Sequence, residues 1–223
     1  MIGHDHILHF FETVERAGNL SHAYCLIGPE HVGKRGIVET VVARLQGTTR
    51  EKLFFHPDVM LVEQEENEKT GKTKKNIDID QVRTIRSALT QRPLYGRHRV
   101  AIIDGAEKMT PSAANALLKT LEEPGATAVI FLVTKAEKSL PPTILSRCQK
   151  IYVAPVAPHL LAAALEAEGM GAEESDEMVT LAHGLPGLLV SWRGDKEAFL
   201  EYREEWSRFF ALAGKPLYER PGK

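Results

Sequence analysis

The chain has 223 residues, 43% hydrophobic and 26% charged, with a formal net charge of −2. That length supports one large core plus a small satellite domain, and the composition is that of an ordinary globular protein. The near-neutral charge argues against a strongly basic nucleic-acid binder, although it leaves room for a local basic patch. Two cysteines, Cys25 and Cys148, are too few for a four-ligand metal site and read most simply as reduced intracellular thiols. The opening residues have neither a basic region nor a long apolar run, and no segment approaches membrane-spanning length. A cytoplasmic protein without a membrane partner is expected.

Taken in order, Ile7, Phe10, Phe11 and Val14 have the spacing of an amphipathic helix that Gly18 and Asn19 stop. Residues 23–27 read as a strand. A glycine-bearing turn, residues 28–35 (GPEHVGKR), leads into a helix over 33–45. Residues 59–62 form a second strand, and the polar stretch 65–75 should be surface loop. A helix containing Val82, Ile85, Arg86 and Leu89 follows, with Asp80 expected as its cap. The apolar run 100–103 ends in Asp104, and the run 128–133 ends in Thr134. Between them lies a helix capped by Thr110, started by Pro111 and faced with Ala114, Leu117, Leu118 and Leu121. Pro141 and Pro142 open a short segment in which Ser146, Arg147 and Cys148 precede a last strand.

Short apolar runs alternating with helices give an α/β fold with a parallel sheet and flanking helices. Beyond Pro155 and Pro158 the pattern becomes entirely helical, with three short helices and then an aromatic one over 195–213. The expected domains are an α/β domain over 1–156, a three-helix lid over 157–194, and a C-terminal helix and tail over 195–223.

Strand, glycine turn and helix together make the setting of a phosphate-binding loop, because the turn points backbone N–H groups inward. Gly28, Gly33 and Lys34 match the first and later positions of the G-x-x-x-x-G-K-[ST] pattern. The eighth position should be a metal-holding hydroxyl. Here it is Arg35, which has no acceptor and cannot coordinate a metal. Asp104 is suited to a magnesium ion, but the neighbouring position, where a carboxylate would prepare water for attack, is Gly105. Glu107 is expected to face elsewhere. Thr134 stands at the carboxyl end of its strand, in the crevice where such sheets bind ligands. The residues allow ATP or ADP to bind but supply no means of cleaving it, and no cofactor or metal is required.

Arg147, on a tight turn before an edge strand, has two readings. It makes a surface salt bridge, or its fork of donors serves a phosphate presented by another subunit. Lys72, Lys74, Lys75, Arg83 and Arg92 are candidates for weak DNA contact, with solvated surface as the competing reading. His56, His98 and His183 read as structural or surface histidines.

Residues 114–124 (ANALLKTLEEP), Thr134 and residues 144–149 (ILSRCQ) resemble the clamp-loader subunits of bacterial DNA polymerase III, within the AAA+ family. The segments LSHAYCLIGPEHVGK, His56-Pro57-Asp58, residues 77–83 and VAIIDGAEKM fit the delta-prime type better than the ATP-hydrolysing gamma/tau type. The resemblance covers about residues 1–192. It implies an AAA+ P-loop domain followed by a lid, with Gly28, Gly33 and Lys34 as a loop remnant, Arg35 at the lost hydroxyl and Asp104 as the metal-site aspartate. Thr134 takes the sensor position, and Arg147 the finger that reaches a neighbour's ATP. It further implies a stator-like subunit without ATPase activity, partnered by gamma/tau and delta subunits and, through them, by the sliding clamp and primed DNA. An active replication or repair ATPase and a DNA-binding accessory module are the alternatives.

Two departures stand out. The family's four-cysteine zinc module has no counterpart in residues 44–55, so no zinc is expected. The arginine that active members carry after the lid's glycine turn is missing from Gly184-Leu185-Pro186-Gly187-Leu188. The aromatic helix over 195–213 is expected either to pack on the small domain or to await a partner, and the resemblance leaves it as the one segment that could begin a collar domain.

Overall fold

A computed structural model of the chain describes residues 2–65 and 76–213. The chain divides into two compact units, Gly3–Pro155 and a second beginning at Val156.

In the first unit, α1 (Asp5–Arg16) precedes β1 (Ala23–Ile27) and α2 (Lys34–Leu45). A 3₁₀ turn, Arg50–Phe55, leads to β2 (Val59–Val62), and α3 (Ile79–Leu89) leads to β3 (Arg99–Asp104). Then come α4 (Pro111–Glu122), β4 (Ala128–Thr134), the single-turn α5 (Pro142–Leu145) and β5 (Gln149–Tyr152). The strands form one parallel sheet in the order β2-β3-β4-β1-β5. Every residue of β1 and β4 is buried, which is why their sequences are continuous apolar runs. β5 lies at the edge and is largely exposed.

Alternate side chains of the central strands serve opposite faces. Tyr24 and Phe131 stack at 5.5 Å, and Phe11 of α1 meets Tyr24 edge-on at 4.9 Å. On the other face Cys25, Ile103, Ile130 and Leu132 join Val82, Ile85 and Leu89 of α3 and Leu117 and Leu121 of α4. Full burial of each large apolar side chain contributes about 1.5–3 kcal/mol, so this double-faced core fixes the sheet. Ile27 is level with Thr134, and Asp104 with Val133. The glycine loop, Thr134 and Asp104 therefore emerge at one rim.

Local chemistry sets the boundaries. Thr110 caps α4 by accepting the Ala113 N–H, with Pro111 in the first turn. The cap of α3 is Asp78 rather than Asp80. The Asp78 carboxylate accepts the N–H groups of Asp80 and Gln81, and the Gln81 side chain accepts the Asp78 N–H. This is a capping box, and two orphan donors satisfied reciprocally outweigh the single contact Asp80 offers.

At the opposite rim, Asp58 is wholly buried just before β2. It accepts the N–H groups of Leu94, Tyr95 and Gly96 at 2.7–3.0 Å and lies 3.4 Å from the Arg99 guanidinium. That guanidinium also donates to the carbonyl of Pro57. One carboxylate thereby fixes the loop between α3 and β3.

The second unit comprises α6 (Pro158–Glu166), α7 (Ala172–Ala182), α8 (Pro186–Gly194) and α9 (Lys196–Ala213). Leu161, Leu165, Met178, Ala182, Leu189, Trp192 and Phe199 form its core. Trp192 lies 5.3 Å from Phe199 and 5.0 Å from Tyr202, so the aromatic stripe of α9 packs within this unit. Among the described residues, no helix is long and apolar enough to cross a membrane.

Candidate functional site

The loop between β1 and α2 is held from three sides. Gly28 donates its N–H to the Thr134 carbonyl at 3.3 Å. Its Cα is packed so closely on the residue that follows β5 that an added Cβ would lie 2.3 Å from the Val153 carbonyl oxygen. Gly33 caps α2 at φ 101°, a backbone that glycine adopts without strain. Buried His4, just ahead of α1, bonds through Nε2 to the Val32 carbonyl at 2.7 Å. Burial lowers the His4 pKa, against the opposing pull of that bond.

Lys34 is only 7% exposed and turns back on its own loop, donating to the carbonyls of Gly28 at 2.7 Å and Pro29 at 2.5 Å. Burial lowers its pKa, while the charges of Asp104, Glu107 and Glu30 oppose that shift. Arg35 points across the rim. Its Nε donates to Glu39 at 2.9 Å, and one terminal nitrogen reaches Glu63 at 2.5 Å and Asp104 at 3.2 Å. The Phe54 ring lies 5.8 Å from the guanidinium carbon. Arg50 takes the second oxygen of Glu39 at 2.6 Å. Burial raises the Asp104 pKa and Glu63 adds to the rise, while Arg35 and Lys34 only partly counter it.

Glu107, two residues beyond Gly105, is half-buried. Its charge opposes the lowering of the Lys34 pKa, and its Oε2 is buried with no hydrogen-bond partner among the described residues. The Thr134 side chain is spent locally, its hydroxyl donating to the Ala136 carbonyl at 3.3 Å. Gly28, Gly33, Lys34, Arg35 and Asp104 thus come together, with Thr134 beside them.

Arg147 lies elsewhere, on the turn between α5 and β5. Its guanidinium meets Glu122, at the end of α4, at 2.9 Å and donates to the Thr143 carbonyl and the Ser146 hydroxyl. The salt-bridge reading therefore describes its present contact. Arg83 pairs with Asp80 at 3.1 Å and, with Arg86 and Lys119, lines a groove between α3 and α4. Arg92 is exposed in the loop beyond α3, away from that groove's lining. Lys72, Lys74 and Lys75 lie outside the described residues.

Sequence reasoning missed Glu39 and Glu63, the carboxylates that engage Arg35. Glu39 stands four residues after Arg35 on one helix, and Glu63 follows a strand just as the crevice residues do, so both signals were present. Glu122 had no local signal, because its partner is distant in sequence.

A parallel sheet in this order, with the glycine loop after β1 and an aspartate ending β3, defines an AAA+-like P-loop domain. A solved Thermotoga maritima protein related to the gamma subunit of DNA polymerase III superposes with a TM-score of 0.57 at 29% identity, covering 78% of this chain and 57% of that one. The chain belongs to the family described as DNA polymerase III, delta subunit, whose model matches residues 3–157. It is 36% identical over 184 residues to the delta' subunit of DNA polymerase III from Pseudomonas aeruginosa, covering 74% of this chain and 54% of the relative. Against the tau subunit from Salmonella typhimurium the identity is 30% over 162 residues, 69% of this chain and 25% of the relative. The chain spans about half the length of the first of these relatives or less.

Proposed function

We propose that the chain is a stator-like subunit of the DNA polymerase III clamp loader, without ATPase activity of its own. Its partners are gamma/tau and delta subunits, and through them the sliding clamp and primed DNA. Arg147 is the group it contributes, as a finger directed at the triphosphate of an adjacent ATP-hydrolysing subunit.

One contrast carries this reading. The Arg35 cation at the chain's own phosphate loop is engaged by three of its own carboxylates, whereas among the described residues Arg147 has a single, half-exposed acid as its charged partner. Exposed ion pairs of the second kind are worth about 0–1 kcal/mol and exchange readily for a better partner. A phosphoryl group offers three anionic oxygens to the same fork of donors. The groove of Arg83, Arg86 and Lys119 supports a secondary, salt-sensitive contact with DNA phosphate.

The test is reconstitution with gamma/tau and delta subunits. Arg147→Ala should lower turnover at the site it serves on the order of 10³-fold, as loss of an arginine finger does. The isolated chain should be silent. Unchanged ATPase and clamp loading by the variant complex would sink the proposal, and so would magnesium-dependent ATP cleavage by the isolated chain that Lys34→Ala abolishes.

A further inference from the structure

The AAA+ fold implies a magnesium nucleotide at the loop between β1 and α2, and the side chains there do not suit one. Such a metal is held between the nucleotide's phosphates, a hydroxyl at position 35 and the carboxylate at 104. Position 35 carries no hydroxyl. Its guanidinium instead meets Asp104 at 3.2 Å and Glu63 at 2.5 Å, while its Nε engages Glu39 at 2.9 Å. The geometry points to Arg35 as a permanent internal replacement for the metal: it satisfies the carboxylates that would face a divalent cation and thereby shuts the loop to magnesium nucleotides.

Three features make the replacement durable. A guanidinium stays protonated at every working pH, and here the carboxylate hydrogen bonds outweigh the effect of burial and raise its pKa further. Phe54 approaches its face, and Arg50 fixes the far oxygen of Glu39, so Arg35 is held on a braced partner. Lys34, the other cation of the loop, is turned onto the carbonyls of Gly28 and Pro29. A divalent ion arriving beside Asp104 would meet the Arg35 charge directly and would have to displace the terminal nitrogen that Asp104 shares with Glu63. Much of an active site survives otherwise. Gly28, Gly33, Lys34 and Asp104 are in place, and one side chain accounts for the closure.

The inference does not depend on Arg147, and its readouts use the isolated full chain. Binding of a fluorescent, non-hydrolysable ATP analogue is measured with magnesium and with EDTA. In the native protein magnesium should change the dissociation constant less than about twofold, whereas in Arg35→Thr it should tighten binding by about tenfold or more. Adding Asp104→Asn to Arg35→Thr should return the magnesium effect to under about twofold, and Tm should rise with magnesium and analogue only in the single variant. Removing Arg35 leaves Glu39, Glu63 and Asp104 without their shared cation. Arg35→Thr combined with Glu39→Gln therefore serves as a second variant with less residual negative charge, covering the case in which the single change unfolds the chain. Strong magnesium dependence in the native protein would overturn the inference, as would a folded Arg35→Thr variant, alone or with Glu39→Gln, that gains none.

Discussion

The two rims of the sheet each carry an aspartate against an arginine, and their pKa values move in opposite directions. At both, burial pushes the carboxyl upward. For Asp58 that push is overcome by the N–H groups of Gly96, Leu94 and Tyr95 and by the Arg99 charge, so its pKa falls below the ordinary value. For Asp104 it is not overcome, because Arg35 is shared with Glu39 and Glu63 and the Glu63 charge repels. Complete satisfaction marks a group whose work is structural. A surplus of carboxylates around one cation marks a place shaped for another charged species.

Asp58→Ala gives the largest expected loss of stability, about 3–5 kcal/mol, because it orphans three amides and leaves buried Arg99 without its counter-charge. Urea unfolding measures it, and a loss under about 1 kcal/mol would break the contrast between the rims. Acid titration sharpens it. A depressed native pKa means that Asp58 stabilises fully above the unfolded value of about 3.9, and that this contribution disappears as pH falls through the native value. Asp58→Asn should therefore flatten the acid limb of the stability curve. The raised pKa of Asp104 has the reverse sign: its contribution is present below the unfolded value and is lost as pH rises through the native one. Asp104→Asn should therefore make the acid limb steeper than in the native chain, because it removes a group whose contribution grows as pH falls. The smallest effect belongs to Arg147→Ala, which should change the stability of the isolated chain by less than about 0.5 kcal/mol, since its ion pair is exposed. A larger loss would mean that the arginine serves its own fold first.

Much of the fold was legible because buried strands advertise themselves. The runs ending at Ile27, Val62, Asp104 and Thr134 have few other readings, and Thr110-Pro111 states where a helix begins. The cap of α3 was misplaced by two residues although Asp78-x-x-Gln81 was there to be read, because attention to one side chain overlooks a reciprocal pair. The 3₁₀ turn Arg50–Phe55 was missed because a single tight turn has no period to detect. At the site, sequence supplied the residues of the loop but not their relations. Gly28, Lys34, Arg35 and Asp104 are visible as a broken motif. That Arg35 also reaches Glu63 and Asp104, beyond its helical neighbour Glu39, depends on strand ends brought together by crossovers.

Gly28 sits hard against the backbone of Val153, which follows the strand that Arg147 introduces. No larger residue fits there whether or not a triphosphate ever arrives. The first letter of the nucleotide signature is thus enforced by a carpentry joint between backbone segments, independently of any ligand. That glycine therefore reports the fit of one backbone against another, and the residue seven places later, Arg35, says more about the ligand.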